Sequence, residues 1–192
     1  SLSINQGTLK INSTCGGIPE DGSPGGGGAA PEYIEITNNI KNPCLKALVT
    51  NLQNSGRLDN AIGKILLNVF GKNDKINLKF TQDDNLKSND GKDDYGQTEK
   101  VSDGVYKIAL NARLLSGFSQ ERQTLTIMHE ILHGYLTYDN DINLNISLPN
   151  QHTKILDRYI DQMASSLENL FPKLKTNHEL TLALIFDNLE SS

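Results

Sequence analysis

Thr124-Leu-Thr-Ile-Met-His-Glu-Ile-Leu-His-Gly-Tyr-Leu136 is the stretch on which the fold of this chain turns. Leu125, Met128, Leu132 and Leu136 recur at helical spacing and mark one apolar stripe. Ser119 precedes them as an N-cap and Glu121 sits in the first turn, so a helix is predicted over Ser119–Leu136. On it, His129 and His133 are one turn apart, roughly 6 Å along the axis, and face the same way. Two imidazoles so placed can bind one Zn²⁺, and Glu130 then points beside the metal, where it can take a proton from water. Neutral imidazole suits zinc, and a carboxylate can accept a proton and later return it to a leaving amine. The bland alternative is a pair of surface histidines on an amphipathic helix. It is opposed by their place on or beside the apolar stripe, and by the clustering of three of the four histidines within residues 129–152.

A catalytic zinc needs a third protein ligand and an open position. His152 is the best candidate: 18 residues separate it from His133, and it lies on the inward stripe of a separate helix. Asp157, Asp161 and Glu168 are the runners-up. Asp157 stands about 140° round the helix from His152, which suits a hydrogen-bond acceptor for a ligand better than a ligand. His178 reads as a first-turn surface residue of the last helix. For an oxyanion donor, Tyr159 ranks ahead of Tyr135 and Tyr138, because it lies two turns from His152 on the same face.

Working outward, Asn42-Pro43 starts a helix carrying Leu45, Leu48, Val49 and Leu52, which Ser55-Gly56 ends. A second helix carries Leu58, Ile62, Ile65, Leu66, Val69 and Phe70, with Gly71 closing it. Residues 75–81 alternate as a half-buried strand, and Val105–Leu110 forms another. The two are expected to pair antiparallel across a polar loop, residues 82–104, which is expected to flank the cleft. A polar connection covers residues 137–149. One helix then runs from near Pro149 or Asn150 to Phe171 with the stripe His152, Ile155, Leu156, Tyr159, Met163, Leu167 and Leu170. A last helix, capped by Asn177, carries Leu180, Leu184, Ile185 and Leu189.

The 192 residues fit one domain with a tail. Eight of the sixteen glycines lie in residues 1–28, and three of the six prolines in residues 1–31. Residues 1–31 are therefore expected to be a flexible tail or linker, holding one short strand at Thr8–Asn12, and residues 32–192 the folded domain. A net charge of −5 argues against a nucleic-acid partner, and no apolar run approaches the roughly 20 residues of a membrane helix. The first residues do not have the basic and apolar layout of a signal peptide; a removed signal and a longer parent chain both remain open. Cys15 and Cys44 lack the spacing of a zinc site. They allow either one disulfide, which implies an oxidising compartment, or one buried and one exposed thiol.

Ile108-Ala-Leu-Asn-Ala-Arg-Leu-Leu115, followed by the His129–Leu136 phrase, resembles the core of SprT-like zinc metallopeptidases. In that family a strand ends in a similar apolar phrase and a helix carries H-E-[IM]-[IL]-H-[AG]-Y-L. A third zinc histidine follows on a later helix, which His152 matches in kind. Gln151-His152 with Tyr159, and Pro43-Cys44-Leu-Lys-Ala-Leu48, are similar to secreted or toxin-type bacterial metallopeptidase domains, which often sit behind Gly/Pro-rich linkers. The likeness covers residues 105–165 well, 40–80 loosely and 1–30 not at all. DNA repair, a role of some relatives, is not implied here, since the chain has no four-cysteine ribbon and is acidic.

The resulting expectation is an α+β zincin-like domain with a small antiparallel sheet, the His129–His133 helix and a return helix bearing the third ligand. Its expected function is zinc-dependent peptide hydrolysis. Zn²⁺ would be held by His129, His133 and His152, with Glu130 as general base and Tyr159 as donor. A protein or peptide is the expected substrate, a cognate inhibitor or immunity protein a possible partner, and the outside of the cell the expected location. Two alternatives stand beside it. One is a zinc-binding interaction module without turnover, and the other is a metal-free protein with an accidental motif.

Overall fold

The computed structural model describes residues 36–55, 60–71, 76–143 and 148–190. The chain divides into two units, Ser1–Ala30 and Pro31–Ser192, and the second is described here. The expected tail, the Thr8–Asn12 strand, Cys15 and Leu58 lie outside the described residues. Cys44 is disulfide-bonded.

The described residues form an α+β fold of seven α-helices and one four-stranded sheet. The strands are β1 (Ile36–Asn38), β2 (Asn77–Gln82), β3 (Gly96–Ser102) and β4 (Val105–Leu110), in the spatial order β1-β2-β4-β3. The sheet is mixed, which corrects the expected antiparallel one. β2 runs parallel to both β1 and β4, and only β3 is antiparallel to its neighbour β4. The cause lies in the segment expected to be a loop. The chain reverses once through residues 83–95 and again at a hairpin, so β4 emerges in the direction of β2. The hairpin turns on Gly104, whose φ of 70° is cheap only for glycine.

β3 escapes a search for alternation because it is an edge strand. Gly96 is its one buried residue, and Val101, next to the register shift between Lys100 and Ser102, is 57% exposed. Cross-strand charge helps fix its register, since Glu99 stands opposite Lys107 and pairs with it. The core side of the sheet comes from Leu78 and Phe80 of β2 and Tyr106, Ile108 and Leu110 of β4.

The helices α1 (Pro43–Ser55) and α2 (Ala61–Ile65) form as expected, with the wider turn Leu66–Phe70 continuing α2 to Gly71. After the short α3 (Ala112–Leu115) comes α4 (Gln120–Asn143), which carries the histidine motif. It buries Leu125, Met128, Leu132 and Leu136, each contributing about 1.5–3 kcal/mol by leaving water. It continues past Leu136 into the expected connection, where Tyr138 packs edge-on against Tyr106 with centroids 6.5 Å apart. The return segment is two helices rather than one: α5 (Leu148–Arg158) and α6 (Ile160–Leu170), broken at Tyr159, whose φ of −120° and ψ of −2° leave the helical region. Leu156 is exposed, which removes it from the expected stripe, while Ile155, Met163 and Leu167 are buried. On α7 (His178–Glu190), Ile185 and Leu189 are buried but Leu180 is exposed, because its apolar residues are spread around the helix.

Candidate metal centre

Three histidines from two helices converge on one point. α4 supplies His129 and His133 one turn apart, and α5 supplies His152. Their Nε2 atoms are mutually close: 2.6 Å between His129 and His133, 3.3 Å between His129 and His152, and 3.0 Å between His133 and His152. Among the described residues this is the group of three that could hold a metal ion. The triangle fits one ion. A point about 2.0–2.1 Å from all three nitrogens, the usual Zn–N distance, exists roughly 1 Å out of their plane. A single proton can bridge one pair of these nitrogens but not all three, whereas a cation satisfies them together.

The environment keeps the imidazoles neutral, as ligation requires. Burial, then the two neighbouring imidazoles, hold His129 well below the ordinary histidine range, opposed by a hydrogen bond with Asn188 of α7. Burial lowers His133 to about 4, although its bond with Gln151 works the other way and His152 adds to the shift. Half-buried His152 is lowered by burial as well.

Glu130, which follows His129 in the chain, is buried, with its carboxyl raised to about 7. Burial is the main cause, a hydrogen bond from Thr98 opposes it, and the Asp94 charge adds to it. Thr98 Oγ1 lies 2.7 Å from Glu130 Oε2 and 2.9 Å from the Glu130 carbonyl oxygen. A hydroxyl has one proton for these two acceptors. When Glu130 is ionised, Thr98 donates to the carboxylate. When Glu130 is protonated, it donates to Thr98, which in turn donates to the carbonyl. The contact is satisfied in both states, as a group that takes and returns a proton needs.

No family model, curated protein or solved structure matches this chain.

Of the other predicted residues, Tyr159 sits at the break between α5 and α6, with its ring edge-on to Tyr135 at 6.1 Å between centroids. Burial, then the Tyr135 side chain, push its hydroxyl up to about 12, so it stays protonated at neutral pH. The runner-up ligands lie elsewhere. Asp157 and Asp161 are exposed, and Glu168 accepts from His178 Nδ1 at 2.7 Å, so that pair is a surface contact. Thr98, Gly96, Gln151, Thr137 and Asn188 had no role assigned from sequence. For Gln151 a signal exists in its place directly before His152. For the rest none does, because strand pairing and helix packing bring them in.

Proposed function

We propose that this chain is a zinc-dependent peptidase of the zincin type, as the resemblance to SprT-like metallopeptidases implies. The observation that carries the proposal is the convergence of three neutral imidazole nitrogens within 3.3 Å of one another, with the residue after His129, Glu130, buried and its carboxyl raised to about 7. Three imidazoles suit zinc, and three protein donors rather than four is the ligand count of catalytic zinc sites. Bound there, zinc would supply Lewis acidity, polarising a carbonyl and lowering the pKa of water. Glu130 takes a proton from the attacking water and passes it to the leaving amine, and Thr98 keeps the carboxyl hydrogen-bonded through both states. Tyr159, protonated across the working range, is the assigned donor to the developing oxyanion.

The substrate is a protein or peptide, and the protease acts outside the cell. The disulfide at Cys44 supports that location, because such bonds persist in oxidising compartments. A secreted toxin-type protease would also have a cognate inhibitor as partner. Among the described residues, no helix is long and apolar enough to cross a membrane.

The test is cleavage of a peptide mixture by zinc-loaded protein, read by mass spectrometry, beside the Glu130→Gln variant. Loss of about 10²–10⁴-fold in rate with zinc retained is expected. Equal cleavage by both removes Glu130 from the reaction and overturns the mechanism, and no cleavage by the wild type overturns the proposal in favour of a zinc-binding module without turnover.

A further inference from the structure

The histidine cluster has an outer layer of hydrogen bonds. Gln151 is 4% exposed and immediately precedes His152 on α5. Its Oε1 lies 2.8 Å from Nδ1 of His133, and its Nε2 donates to Oγ1 of Thr137 at 3.4 Å. Thr137 is one turn beyond His133 on α4, so the two ends of a single amide span that turn. An amide oxygen can only accept. The proton of neutral His133 is therefore on Nδ1, and the lone pair is on Nε2, the atom that faces His129 and His152. The opposite amide orientation would set N–H groups against Nδ1 and drive the ring proton to Nε2, where it would block a cation.

Resting on the metal site proposed above, we propose that Gln151 is the positioning residue of this centre, holding His133 in its ligating tautomer through a neutral acceptor. Because Gln151 and His152 are consecutive, one helix delivers both the third ligand and the group that prepares the second. Packing of α5 on α4 thereby brings both groups to the same site. The acceptor's neutrality also has a consequence. A carboxylate in the same place would make the ligand more basic and lower the charge of the centre, whereas an amide orients the ring and leaves that charge intact.

The test is the zinc affinity of the full chain, measured by competition with a chelating indicator, for wild type, Gln151→Leu, Gln151→Glu and Thr137→Val. Leucine keeps the bulk and removes the acceptor, so an affinity loss of about 10- to 100-fold is expected. Glutamate keeps an acceptor and adds charge, so its affinity should equal or exceed that of wild type. Thr137→Val, which removes only the anchor of the amide, should lose less than the leucine variant. Equal affinities for wild type and Gln151→Leu overturn the assignment alone, leaving the metal site standing. Wild type without measurable zinc binding overturns the metal site and the assignment together. Should the leucine variant fail to fold, the glutamate variant decides, and an affinity below wild type overturns the assignment.

Discussion

A β-carbon on Gly96 would stand 2.8 Å from Cγ of Glu130 and 3.1 Å from its Cδ and Oε1. The edge strand and the histidine helix thus meet at a contact with no room for a methyl group. Two residues on, Thr98 holds the same carboxyl. The helix sets where Glu130 begins, and β3 sets where its carboxyl ends.

Gly96→Ala should therefore displace the carboxyl while leaving the histidines in place. Turnover is expected to fall about 10- to 100-fold, since misplacing a reacting group by about 1 Å costs that much. Stability should fall by roughly 1–3 kcal/mol from overpacking, with zinc content unchanged. Side-by-side rates and metal analysis check this. Full activity in the alanine variant would mean the strand does not position Glu130.

Acid should unfold the metal-free protein through the same cluster. Burial holds all three imidazoles below the ordinary range, His133 at about 4. Below about pH 6.5 the unfolded chain binds protons there that the folded one refuses, so stability falls as pH drops from about 6.5 toward 4. Glu130, raised to about 7, works the other way: its contribution is present at low pH and lost as pH rises through 7. Three imidazoles oppose one carboxyl, so the net slope is acid-destabilising. Urea midpoints of the metal-free protein should fall between pH 6.5 and 4.5, and fall less in His133→Gln. Identical slopes in the two proteins would contradict this.

A polar joint ties α2 to α6. Asn60 caps α2 by accepting from Gly63 N at 2.8 Å, and its Nδ2 donates to the Ser166 carbonyl at 3.1 Å. Ser166 Oγ accepts from Ile62 N at 3.1 Å, so α2 and α6 are joined from both sides. Asn60→Ala removes the cap and a buried bond together, at a cost of about 2–3 kcal/mol. Thermal unfolding checks it, and a loss under about 0.5 kcal/mol would show that water replaces the joint.

Much of this was legible in the sequence. The grouping of His129 and His133 follows from helical spacing, and that of His152 from its place on an apolar stripe. What escaped did so for physical reasons. β3 shows no alternation because only Gly96 is buried, and missing it made the sheet look antiparallel. Tyr159 falls within an unbroken apolar period, yet the helix breaks there, since periodicity reports a buried face and not its continuity. Thr98 and Asn188 make pairings across the fold, with Glu130 and Thr126, at distances in sequence that no local pattern encodes.

The central claim is that His129, His133 and His152 hold one zinc ion. Metal content by mass spectrometry, on wild type and His152→Ala purified together and then supplied with zinc, tests it most directly. One equivalent of zinc in the wild type and much less in the variant is the predicted result, as a site of three ligands requires. No bound zinc in the wild type, or equal zinc in both, would contradict the claim.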